Sequence, residues 1–230
     1  IPVMSTYWSR QFGEIDVGAF GARGVGLFSY LYHEYVTAIG AACVQGQGRL
    51  GTRPDALLRC RILANNLTRG LIPGPFMHEV PIKGLAVWQE IGTWQATVSQ
   101  AYRSFCRPYK HFPEYLILGR TVRPPTIECD HVETSFWRRD AKGEPRKNGP
   151  PVSKYPLTLA AVTAGTFQAK NATRATFVVN TTPEERQATI TLRTPADITI
   201  FTPDRQELSR HSAQEIPLTL PPFGIRVLVQ

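Results

Sequence analysis

Gln187-Ala188-Thr189-Ile190-Thr191-Leu192 alternates polar and apolar residues at every step, and this stretch decides the fold of the C-terminal third. A period of two puts Ala188, Ile190 and Leu192 on one side of an extended chain and the polar residues on the other. The same period returns at Ile198 and Ile200, at Ile216, Leu218 and Leu220, and at Ile225, Val227 and Val229. Pro183-Glu184-Glu185, Thr202-Pro203-Asp204 and Pro221-Pro222-Phe223-Gly224 punctuate these runs as turns. Each run is apolar on one face and needs a second sheet to cover it. An antiparallel β-sandwich from about Pro156 to Gln230 is therefore expected, with a core of its own that lets residues from about Ser153 onward fold alone.

Upstream the periodicity changes. Val25–Leu31 (VGLFSYL) is a short apolar run bounded by glycine, as a strand buried on both faces would be. Thr52 can cap a helix that carries Pro54 and Asp55 in its first turn and Leu58, Ile62 and Leu63 on its apolar face, with Gly70 placed to end it. Leu71–Met77 reads as a kinked extended segment. A longer helix follows, with Val87, Ile91, Trp94, Val98, Ala101 and Phe105 at three- and four-residue steps until Pro108. Pro113 to Leu118 predicts one more helical turn, closed by Gly119. Strand, helix, strand, helix is the order of a βα-repeat domain with a parallel sheet. The chain divides into a βα part at 1–125, a connecting segment with a basic loop at 126–155, and the sandwich at 156–230.

The net charge is +8 at pH 7, enough to raise nucleic acid or an acidic partner. The basic residues are scattered, however, and the densest group, Arg138, Arg139, Lys142, Arg146 and Lys147, is broken by Asp140 and Glu144 in a Gly/Pro-rich stretch read as a solvated loop, Asp140–Lys154. No nucleic-acid partner is expected. No run of eighteen apolar residues occurs, so no membrane-spanning helix is expected either. Cys43, Cys60, Cys106 and Cys129 form no CxxC pair and no metal-like spacing, and no cofactor motif is present: P-loop, GxGxxG, GxSxG and HExxH are all missing. The compartment stays open, a periplasmic or secreted location being the first reading. The opening Ile1-Pro2-Val3 reads as the inside of a longer polypeptide.

Four pieces in order carry a family resemblance: Leu27 to Tyr35 (LFSYLYHEY), Leu116 to Pro125 (LILGRTVRPP), Ala175 to Asn180 (ATFVVN) and Leu220 to Ile225 (LPPFGI). Together they resemble a bacterial group of glycoside-hydrolase-like TIM barrels that end in a β-sandwich. The resemblance implies α/β plus all-β: the C-terminal part of a (β/α)8 barrel followed by an antiparallel sandwich. A whole barrel needs about 250 residues, and only about half of that precedes the sandwich. The missing strands are expected from an N-terminal part of the same enzyme or from a second subunit.

Glycoside hydrolysis needs two carboxyl groups about the scissile bond, and barrels hold them where strands end at the carboxyl face. Glu34 fits that place if 25–31 is a strand, and Glu79 fits it after the next one. In the clan of retaining glycosidases that the chain resembles, the nucleophile follows the seventh strand, the place Glu34 matches; the fourth strand, which precedes the acid/base residue, is missing. Tyr32, His33 and His78 share the expected rim, and Trp8 could stack on a sugar. The structural alternative is that the His-Glu pairs only tie loops to the barrel. Glu14 and Asp16 read as exposed loop carboxylates and Trp94 as core. Three Asn-x-Thr triplets begin at Asn66, Asn171 and Asn180. The function expected is glycosidic hydrolysis by carboxylate acid/base catalysis on a carbohydrate substrate. The alternative is a non-catalytic carbohydrate-binding or assembly module.

Overall fold

The computed structural model describes residues 3–5, 37–41, 53–74, 95–146 and 149–230. Its first layer is a three-stranded parallel sheet of β1 (Val3–Ser5), β2 (Thr37–Ala41) and β3 (Ile72–Gly74), adjacent in chain order. Helix α1 (Arg53–Thr68) crosses between β2 and β3. Its end is a Schellman motif: Gly70 takes φ 71°, its amide donates to the Leu67 carbonyl at 2.9 Å, and the Leu71 amide donates to the Asn66 carbonyl at 2.8 Å. The expected stop at Gly70 is thus present. The strand expected at 25–31 lies outside the described residues, as does the first part of the expected 87–105 helix, whose remainder is α2 (Gln95–Cys106).

Two short helices, α3 (Pro108–His111) and α4 (Pro113–Leu116), lead into the large sheet. That sheet contains β4 (Arg120–Val122), β5 (Thr126–Cys129), β8 (Val162–Gln168), β9 (Arg174–Asn180), β10 (Arg186–Phe201), β11 (Glu207–Leu220) and β12 (Ile225–Val229). Its order is β11-β10-β12-β9-β8-β4, antiparallel throughout, with β5 also paired to β10. The turns expected at 183–185, 202–204 and 221–224 all separate strands. The two runs expected as separate strands, 187–192 and 198–200, are one strand, β10, with a register shift between Thr191 and Ala196. Pro195 sits in that gap, where a missing amide donor costs the ladder nothing. The first half of β10 pairs with β5 and the second with β12, so the sheet curls over itself.

The curl makes the sandwich. Val162, Val178 and Leu228 from the centre of the sheet meet Ile190, Ile198, Ile216 and Leu218 from β10 and β11 in one buried cluster. The other face of the centre is covered by helices, not by strands. Phe167, Phe177, Ile225 and Val227 pack against Leu63 and Leu67 of α1, Ala101 and Phe105 of α2, and Phe112. Phe177 meets Phe112 and Phe167 edge-on at 5.7 and 5.8 Å between centroids. The C-terminal strands close one core among themselves, as their alternation predicts, and leave a second face that the helices cover.

Helix α1 is buried nearly all round, which a single apolar stripe did not foretell. Leu63 faces the helix-covered core, Leu58 packs on Leu159, and Leu57 packs on Val132 and Ala161. Val132 and Leu159 belong to an antiparallel ribbon of β6 (His131–Arg146) and β7 (Gly149–Ala160). The stretch expected as loop 140–154 is thus largely strand. Both members of a two-stranded ribbon are edges, so Pro145, Pro150 and Pro151 are tolerated. Segment 126–155, expected to connect, carries β5, β6 and part of β7. No helix among the described residues is long and apolar enough to cross a membrane.

Candidate functional site

Trp8, Tyr32, His33, Glu34, His78 and Glu79 all lie outside the described residues, so their side chains are not brought together or separated here. Chain position still orders them against the parallel sheet. Trp8 comes three residues after Ser5 ends β1, and Glu79 five residues after Gly74 ends β3. Glu34 comes three residues before Thr37 begins β2.

The described residues do assemble a different site. A cavity of about 440 Å3 opens between the last turns of α1, the β4–β5 connection and β8. Arg61, Asn65 and Thr68 line it from α1, and Arg69 from the turn that follows the helix. The spacing of four and three puts the first three on one side of the helix. Gly165 of β8 lets that side come close: a Cβ there would lie 1.9 Å from the Thr68 carbonyl oxygen. Opposite, Arg123, Pro124 and Pro125 cross from β4 to β5 in extended form, as consecutive prolines require.

Arg61 is only 6% exposed, and its Nη1 donates to the Ala160 carbonyl at 2.7 Å. Burial pushes its pKa down to about 10; the neighbouring Cys129 opposes that shift and the Arg69 charge adds to it. The guanidinium thus stays protonated at neutral pH, a cation in a desolvated place. Burial pushes the Cys129 thiol up despite Arg61 and the hydrogen bonds it makes to Val162 and Ala161, so it is a neutral thiol rather than a nucleophile. Among the described residues no group of three or more His, Cys, Asp or Glu gathers as a metal site would need.

The asparagine triplets also sort themselves. Asn66 and Asn180 are buried, while Asn171 stands exposed in the β8–β9 turn. Asn180 is a turn organiser: its amide nitrogen donates to the Glu184 carbonyl at 2.7 Å and the Pro221 carbonyl at 2.9 Å, and its oxygen accepts from the Thr182 amide at 2.9 Å. Sequence reasoning passed over Arg61. The signal was there: Arg59 and Arg61 interrupt an otherwise apolar run from Leu57 to Ala64. Arg123-Pro124-Pro125 was noticed as a family stretch and not as a cavity wall.

The sequence matches no family model, and no characterised protein matches it. Among solved structures it is similar to α-galactosidase I from Mortierella vinacea, at 11% identity and a TM-score of 0.33, over 84% of this chain and 39% of that one. It is also similar to a protein assigned as an α-N-acetylgalactosaminidase from Bacillus halodurans, at 10% identity and a TM-score of 0.33, over 76% and 30%. The chain thus spans well under half the length of either, and likeness at this level settles neither family nor activity.

Proposed function

We propose that the chain is part of a carbohydrate-active enzyme that hydrolyses glycosidic bonds by carboxylate acid/base catalysis. The observation that supports this reading is the parallel layer: β1, β2 and β3 pair in chain order, with a helix crossing between the last two, and an antiparallel sheet follows. Sequential parallel strands with helical crossovers are what a stretch of (β/α)8 wall consists of, and such walls carry their reacting groups beyond the carboxyl ends of the strands. Fold alone does not specify chemistry, so the reading also needs the carboxylates. Glu79, five residues after β3 ends, is the first candidate, with His78 next to it in sequence and Trp8 three residues after β1 ends. Glu34, after the strand expected at 25–31, is the second. One carboxyl group would protonate the leaving oxygen while the other attacks the sugar or activates water. The rest of the wall would come from an N-terminal part of the same enzyme or a second subunit.

The test is hydrolysis of a panel of nitrophenyl glycosides by the complete protein and by its Glu79→Gln and Glu34→Gln variants. Glu79→Gln is expected to lower turnover at least about 100-fold with an unchanged melting temperature, and Glu34→Gln to lower it less. Turnover that survives both changes, or no hydrolysis of any glycoside, ends the proposal.

A further inference from the structure

We propose that Asn171, in the β8–β9 turn, is an acceptor site for an N-linked oligosaccharide, and that this chain is accordingly glycosylated on passage through a secretory compartment. The site is independent of the glycosidic reading above and uses none of its residues.

Two copies of one motif carry the inference. Of five asparagines, three begin an Asn-x-Thr triplet, at Asn66, Asn171 and Asn180. That triplet is the pattern an oligosaccharide-transferring enzyme reads. Asn171 and Asn180 build the same local structure. In each, the side-chain oxygen accepts from the backbone amide and from the hydroxyl of the threonine two residues on. The distances are 3.2 and 2.6 Å to Thr173, and 2.9 Å for both bonds to Thr182. The copies differ at the atom a sugar would join. The Asn180 amide nitrogen is spent on the carbonyls of Glu184, Leu220 and Pro221, and the residue is wholly buried. Asn66 is buried in α1 as well. A bulky, solvated oligosaccharide fits neither place. Asn171 is exposed, with exposed Lys170, Ala172 and Arg174 around it, and its nitrogen donates to none of the described residues.

The turn holds its shape without that nitrogen. The Ala169 amide donates to the Thr173 carbonyl at 2.9 Å, and the Ala172 amide donates to the Ala169 carbonyl at 3.0 Å. Thr173 has one hydroxyl proton, which goes to Asn171. Tyr115 therefore donates in the 2.9 Å bond between the Tyr115 and Thr173 hydroxyls, and that bond ties the turn to α4. The acceptor is held outward on a tied turn, with its nitrogen open to solvent. In the transfer, the Asn171 amide nitrogen bonds to the anomeric carbon of an oligosaccharide carried on a lipid pyrophosphate. The bond from that carbon to the pyrophosphate oxygen breaks, the lipid pyrophosphate leaves with the electron pair, and the nitrogen gives up one proton.

The experiment purifies the complete protein from its native cells and digests it with chymotrypsin. The peptide Gln168–Phe177 is then weighed before and after treatment with peptide N-glycosidase. The peptide should carry an oligosaccharide, and the enzyme should remove it and leave Asp at position 171. Variants produced in the same cells separate the sugar from the turn. Asn171→Asp keeps the oxygen that Thr173 donates to but offers no amide nitrogen, so it should fold and lose the sugar completely. Thr173→Ser keeps the hydroxyl and should retain the sugar, whereas Thr173→Ala should lose it. The peptides that contain Asn66 and Asn180 should be bare. The proposal is overturned if the Gln168–Phe177 peptide of the native protein carries no sugar, if Asn171→Asp leaves the glycosylated mass unchanged, or if the sugar sits on Asn66 or Asn180 instead.

Discussion

Strands β9 and β11 belong to one sheet, yet they live in different solvents. Every residue of β9 from Ala175 to Asn180 is buried, because helices cover one face and the curled half of the sheet covers the other. In β11 the buried Ile216, Leu218 and Leu220 alternate with exposed Glu215, Pro217 and Thr219. The difference is one of layers: the centre of the sheet is the middle of three, and the β11 end is the outside of two. Stability should therefore depend far more on the helices than the strand pattern alone would indicate. The largest expected effect is truncation. Residues 153–230 alone would bare Phe167, Phe177, Ile225 and Val227 and lose the β4 and β5 pairings. Calorimetry should show no cooperative melt for this piece. A sharp transition near that of the whole protein would mean that the helix-covered face is dispensable, and the contrast between the two strands would collapse.

Point changes sharpen the same contrast. Phe177→Ala empties a fully buried site against Phe112 and Phe167, and should cost about 3–5 kcal/mol in urea unfolding. Leu218→Ala at the one-sided end should cost about 2 kcal/mol, since that residue borders water. Equal losses at the two positions would contradict the layer argument. Gly165→Ala tests the helix–sheet approach directly. Its Cβ would strike backbone, not a movable side chain, so α1 must lift from β8 at about 1–3 kcal/mol. An unchanged midpoint would show that the close approach is not required.

This layering also explains what could be read in advance. Alternation is most legible where one face is wet, so the 187–192, 198–200 and 216–220 runs read clearly. The turns and the Gly70 stop are marked by Pro and Gly. The 225–229 run, covered on both faces, reads as a strand only through Arg226 between Ile225 and Val227. β9 offers no alternation, and its ATFVVN stretch reads only as a resemblance. β4 and β5 are three and four residues long, too short to signal membership of a sheet in which Arg120 pairs with Gln168 and Thr126 with Thr191. The cavity was hidden for a related reason: its walls come from residues 61–69, 121–131 and 158–166, and no local motif joins them. Arg61 shows the limit well. A buried cation on a helix is visible in sequence only as an oddity, and its meaning depends on what stands across from it.

The smallest expected effect concerns the surface tie between the two layers. Glu184, in the turn before β10, pairs with Arg53 at the start of α1 and with Arg186. Burial pushes its carboxyl up, but the hydrogen bonds and charges of Arg53 and Arg186 outweigh that and hold it below its ordinary value. A carboxyl lowered in the folded state adds stability that is present above the unfolded pKa and is lost as pH falls through the folded one. With side chains 42% and 44% exposed, the Arg53 pair is screened and worth at most about 1 kcal/mol. At pH 7 Glu184→Gln should melt slightly below the parent, the gap should close as pH falls below the usual glutamate range, and molar salt should shrink it. Glu207 is held low by Arg210 in a similar way, but both residues lie on β11 and join no layers. Fully exposed to solvent, that pair is screened more strongly, so Glu207→Gln should lower the melting temperature at pH 7 less than Glu184→Gln does. If the two variants respond alike, or if the Glu184→Gln gap persists at pH 3, the tie between helix and sheet is not electrostatic.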